Sequence, residues 1–165
     1  MKRIITLLIF FVSATLSVKS QNFNTAVTNA FMVNRMVEKY HVQPRLLDKE
    51  FSENWFEEII NTLDNDKIFF TQEDINQLNV YRFQLHEQLR QKKSNFIEQL
   101  YKIYQVRLHQ VDTIITNICK TPFDFTGREI FTAKEDSTFA GDTKKLRIKL
   151  YKHLKSAVLY NLVEM

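Results

Sequence analysis

The chain has 165 residues, with only 2 Gly, 2 Pro and 1 Cys. That length suits one domain; so few chain breakers favour long helices over a turn-rich β fold, and one Cys forms no intrachain disulfide. The formal charge of +4 does not point to nucleic acid, because Lys2, Arg3 and Lys19 lie in an apparent leader and without them 20 Lys and Arg face 19 Asp and Glu.

Met1 to Ser20 reads as a secretory signal. Lys2 and Arg3 are the basic start, Ile4 to Val12 the apolar centre, and Val18-Lys19-Ser20 places cleavage before Gln21. The apolar run is too short for a stable membrane span. An exported chain without disulfides fits a periplasm, where disulfides are permitted but not required. Asn22 to Thr25 is a polar entry, and Ala26 to Tyr40 follows as a helix with Val27, Ala30, Phe31, Val37 and Tyr40 as its apolar positions; Pro44 lies beyond its end.

Asp48 caps a second helix on which Phe51, Trp55, Ile59 and Leu63 recur every four residues. Phe56 and Ile60 widen that face, and Trp55 is expected to be buried at a helix corner. Leu63 to Lys67 stops the helix, with Asn65 suited to a left-handed residue. Ile68-Phe69-Phe70 is a short apolar bridge. Thr71 caps a third helix, with Glu73 and Asp74 in its first turn and Ile75, Leu78, Leu85 and Leu89 along its stripe. Arg82 interrupts that stripe and is expected to snorkel to water rather than meet a carboxylate.

Arg90 to Lys93 is a charged break, and Ser94 caps the longest helix, Asn95 to Cys119. Its seam runs through Ile97, Leu100, Tyr104, Val111, Ile114 and Ile118, broadened by Phe96, Ile103, Leu108 and Ile115. Cys119 is expected to be a buried small apolar residue. Lys120-Thr121-Pro122 ends the helix, and Thr126 to Asp142 reads as a loop. Thr143 to Met165 returns to helix with Leu146, Leu150, Leu154, Val158 and Leu162 on one side. Lys144, Lys145, Arg147, Lys149, Lys152 and Lys155 form a solvated basic face, and Tyr151 packs inward. The apolar stripe runs to Met165 with no stop signal, so a further element is expected to cover it; alone, the chain should self-associate or fray from about Tyr151. The pattern specifies an all-α bundle of about five helices after the signal.

Chemistry-bearing motifs are sparse. Gly127 and Gly141 stand alone, so there is no phosphate loop. His41, His86, His109 and His153 fall on separate elements without ligand spacing and are expected at the surface or half-buried. Asp64-Asn65-Asp66 lacks the Gly and Glu of a calcium loop. No Ser sits in a Gly-bearing elbow, and Lys155 and Ser156, as helix neighbours, do not face each other. No catalytic, cofactor or metal site is expected.

Two blocks carry a family resemblance. Phe51 to Asp64 has the form F-S-x-x-W-F-x-x-I-I-x-x-L-D, and residues 122–127 read P-F-D-F-T-G. In this order they resemble the N-terminal helical domain of bacterial tail-specific, or carboxy-terminal processing, proteases. The resemblance covers Val37 to Met165 and marks Phe51, Trp55, Phe56, Leu63, Asp64, Asp124, Phe125, Thr126 and Gly127 as structural signature positions. It implies a full enzyme that cuts proteins from their C-termini with a Ser/Lys pair supplied by a region outside this chain. Residues 21–165 would then be a non-catalytic domain that frames substrate access. Its partners would be the PDZ and protease domains, protein substrates or an adaptor protein. The rival reading is a self-sufficient exported helical protein-binding module.

Overall fold

The computed structural model describes residues 23–43, 46–127 and 138–164. The signal at 1–20, Pro44 and the loop residues 128–137 lie outside the described residues. Among the described residues the chain forms six α-helices: α1 (Phe23–Tyr40), α2 (Lys49–Leu63), α3 (Gln72–Asn79), α4 (Leu85–Arg90), α5 (Asn95–Ile118) and α6 (Thr143–Glu164). The all-α expectation holds. A lone parallel bridge joins Thr71 to Ala140, where Gln72 N donates to Ala140 O at 2.8 Å.

The caps explain where two helices start. Asp48 accepts from Phe51 N at 2.9 Å at the head of α2. Thr71 and Asp74 form a reciprocal capping box on α3, so Asp74, not merely a charge in the first turn, is built into the cap. The expected single third helix is two. After Asn79 the backbone tightens to i→i−3 bonds, Tyr81 N to Leu78 O, Arg82 N to Asn79 O and Gln84 N to Tyr81 O. The tighter winding turns the stripe, so Ile75, Leu78 and Leu85 pack into the main cluster while Leu89 joins the cluster at α1. It also sends Arg82 onto α2, where Nη2 lies 3.1 Å from Glu53 and 2.5 Å from Glu57, with the guanidinium over Phe56. Arg82 therefore meets carboxylates instead of snorkelling; two acids one helical turn apart on α2 make an anionic site for the guanidinium that no single-helix reading reveals.

Among the described residues the core has one large cluster and two satellites. Phe56, Ile60, Phe70, Ile75, Leu78, Leu85, Phe96, Leu100 and Ile103 form the main one. Phe56, Phe70 and Leu78 are shut away from water, each such side chain being worth about 1.5–3 kcal/mol. Val111, Ile118, Ala140, Leu146 and Leu150 join α5 to α6. Val27, Leu47 and Leu89 form the third, at α1.

Several expected core residues are placed otherwise. Trp55 is half-buried, because Ser52, Phe56 and Ile60 take the inward line of α2 and leave Phe51, Trp55 and Ile59 on its flank. Val37 and Tyr40 are exposed, since the C-terminal half of α1 runs past the residues it packs on. Leu108 is exposed on the outer side of α5, and Cys119 is exposed because the helix ends one residue before it. Lys155 breaks the solvated basic face: it is buried, with Nζ 5.8 Å from the Phe125 ring centre. No described helix is long and apolar enough to cross a membrane.

Candidate functional site

The signature block on α2 ends in a carboxylate that organises the next segment. Asp64 is buried, and its two oxygens accept from Ile68 N at 2.8 Å, Phe69 N at 3.0 Å and Phe70 N at 2.8 Å. Three N–H groups of the bent apolar bridge thus gain an acceptor inside the protein, where unpaired ones would be costly. The turn puts its left-handed residue at Lys67 (φ 53°) rather than at Asn65. Leu63 is exposed, contrary to its place in the four-residue repeat: the next residue, Asp64, turns inward in its stead. The bridge then delivers Phe69 against Tyr104, ring centres 4.9 Å apart, and Phe70 into the core. Phe51 and Trp55, with rings 5.6 Å apart, pack at the α1 cluster.

A second buried centre was invisible in the apolar pattern. Arg107 occupies the gap between Tyr104 and Val111 in the α5 seam. Its Nε donates to Asp74 Oδ2 at 2.6 Å, and Nη2 donates to Asp74 Oδ1 and Thr71 Oγ1, each at 3.0 Å. Nη1 reaches Gln110 at 2.8 Å and Thr143 at 3.1 Å. One guanidinium therefore ties α3, α5 and the start of α6 together. The seven-residue step in the seam was the available signal.

His86 is the exception among the four histidines. It is buried, with Nδ1 2.6 Å from Ser52 Oγ. Ser52 Oγ also accepts from His86 N at 2.9 Å and donates to Asp48 O at 3.1 Å. That arrangement pins α4 to α2. Ser52 has no exposed surface, so the pair presents no nucleophile to a substrate. Among the described residues no group of three or more His, Cys, Asp or Glu is placed to hold a metal.

The second signature block folds onto α6. Phe123 packs on Tyr151 with ring centres 5.4 Å apart, and Phe125 lies under Lys155. Asp124, Phe125, Thr126 and Gly127 are exposed. Asp124 accepts from Thr126 Oγ1 at 2.7 Å and Thr126 N at 2.9 Å. The Thr126 hydroxyl first, then its N–H, hold the Asp124 carboxyl below the ordinary carboxylate range, with the Lys155 charge adding to them. A depressed folded-state pKa stabilises the turn at pH above the ordinary Asp value, and that contribution is lost as pH falls through the depressed one. Thr126→Val is expected to bring Asp124 back up towards its ordinary value, measured by NMR titration of its side-chain carboxyl carbon; an unchanged midpoint would count against the turn as the cause.

Known proteins bear on these placements. The family model described as "Tail specific protease N-terminal domain" matches residues 32–165. Searches of curated proteins and of solved structures returned no match. The matched span takes in both sequence blocks, the Asp64 bridge and the Arg107 centre, and the chain belongs to the family of tail-specific protease N-terminal domains.

Proposed function

We propose that this chain works as the non-catalytic helical domain of an exported tail-specific serine protease, framing substrate access and docking against the PDZ and protease core or a partner protein. The observation that carries this reading is the apolar surface near the end of α6. Val158, Leu159, Leu162 and Val163 are exposed there, within the span matched to the family. Contiguous exposed apolar side chains mark interaction surfaces more often than chance. Helix α1 carries another such stripe, with Met32, Val33, Met36, Val37 and Tyr40 exposed. Export to the periplasm rests on the charge and apolar pattern of Met1 to Ser20. The domain span 21–165 and the structural role of the signature residues belong to the same proposal.

The test is association with a separately produced PDZ–protease region of a tail-specific protease. Hydrogen exchange should show protection of residues 154–163 on mixing. Leu159→Asp with Leu162→Asp should leave the helical content unchanged and weaken association by about tenfold or more, equivalent to 1.4 kcal/mol. Association that is indifferent to these changes would refute docking through α6. A chain that ignores the protease region altogether would favour the self-sufficient binding module.

A further inference from the structure

Helix α1 starts without a negative charge of its own. Its first turn holds no acid, and the first one along the helix is Glu38. That start is nevertheless fixed in place. The Phe23 ring stands edge-on to Tyr101 of α5, ring centres 5.3 Å apart, and Asn24 Oδ1 lies 3.3 Å from Oγ of Ser94, the residue before α5. The Ser94 hydroxyl also bonds Glu98, so the acid in the first turn of α5 is already engaged there. A helix start carries positive partial charge, and a further cation beside it is unfavourable.

Removal of Met1 to Ser20 leaves Gln21 as the first residue. Gln21 stands two positions before Phe23, and two residues span at most about 7 Å. The new α-ammonium therefore stays close to the start of α1 in any conformation. Gln is the residue able to remove that charge unaided. An α-amine is partly neutral at neutral pH. The side-chain carbonyl carbon of the same residue is held within its reach, which makes ring closure unimolecular.

We infer that Gln21 is a modification site: once the leader is gone it closes to pyroglutamate, and α1 of the mature chain follows an uncharged, blocked end. The neutral α-nitrogen attacks the Gln21 side-chain carbonyl carbon and forms the lactam N–C bond. The bond from that carbon to the amide nitrogen breaks. The displaced nitrogen takes the proton that the α-nitrogen gives up and leaves as one ammonia. No oxidant and no second substrate is consumed. The lactam relieves the start of α1 of its extra charge and denies aminopeptidases the free α-amine they need. The inference rests on the reading of Met1 to Ser20 as a removed leader, and not on docking through α6.

The test uses the full chain, expressed with its leader in an exporting bacterial host and held at neutral pH until its mass is constant. Intact-mass measurement should give residues 21–165 lighter by one ammonia, and stepwise N-terminal sequencing should release no first residue. A chain that begins at Gln21 with full mass and a readable Gln overturns the cyclisation and leaves the leader reading standing. A chain that begins at any other residue overturns both. Hydrogen exchange reads the consequence for α1. Gln21→Ala keeps the ammonium, and its amides at residues 27–30 should exchange about two- to fivefold faster than in the cyclised chain. Selective acetylation of that variant's α-amine should restore the slower exchange, because it removes the charge without a lactam. Equal exchange in all three forms overturns the effect of the charge on α1.

Discussion

Replacing Arg107 by alanine is expected to destabilise the fold by about 3–5 kcal/mol, the range for breaking one side of a buried ion pair. The loss arises mainly from what is left behind. Asp74 is buried and offers both oxygens to Arg107, so the variant strands a carboxylate among the α3–α5 side chains. Thr71 Oγ1 and Thr143 Oγ1 also lose a donor, and Thr143 opens α6. Urea denaturation should show the drop, and hydrogen exchange should show it spreading from Thr71 to the first turn of α6. Asp74→Ala should cost a similar amount and also break the reciprocal half of the α3 capping box, leaving Thr71 N without its acceptor. Because the two residues act through one contact, the double alanine variant should fall well short of the summed single losses. A loss under about 1 kcal/mol for Arg107→Ala would show the network to be energetically idle, as exposed pairs usually are.

The residues that periodicity read well are those whose burial depends on one helix alone. Leu100, Val111, Leu146 and Leu150 are core because a 3–4 spacing puts them on one stripe, and each is buried. The caps at Asp48 and Thr71 were equally legible, since a short acceptor before an amphipathic run has one local use. What failed depends on two elements at once. Arg82 was expected to reach water; only the approach of α2 places Glu53 and Glu57 around it. Arg107 looked like a missing seam residue, and its partner lies 33 positions away. His86 is buried because Ser52 occupies the facing turn, which no spacing rule encodes. Trp55 was misplaced by a smaller error: the row Phe51, Trp55, Ile59 and Leu63 runs parallel to the row Ser52, Phe56 and Ile60 but about 100° around α2 from it, and it is the second row that faces the core. The two sequence blocks were legible as a family resemblance, and their physical use differs. The first ends in a buried hydrogen-bonding centre, while the second is an exposed turn laid on α6.

Asp64→Ala is the other substitution with a large expected effect, about 3 kcal/mol or more, because a single side chain serves three backbone donors at roughly 1–3 kcal/mol for each one left unpaired. The cost is unequal along the bridge. Ile68 and Phe69 are half-buried and can recover water, whereas Phe70 is closed off, so its N–H bears most of the penalty. Opening the bridge also withdraws Phe69 from Tyr104 and loosens Phe70 between α2 and α5. Asp64→Asn should rescue little. Its amide keeps one acceptor oxygen, but two N–H donors replace the second oxygen and face backbone N–H groups. Asp66, two positions on and exposed, provides the control: Asp66→Ala should change stability by no more than about 0.5 kcal/mol. Urea denaturation of the three variants, with exchange of the Phe70 amide followed alongside, separates the contributions. Equal stability for Asp64→Ala and Asp66→Ala, with the Phe70 amide still protected, would mean that packing of Phe69 and Phe70 holds the bridge unaided. The carboxylate ending the first sequence block would then have no structural reason in this chain.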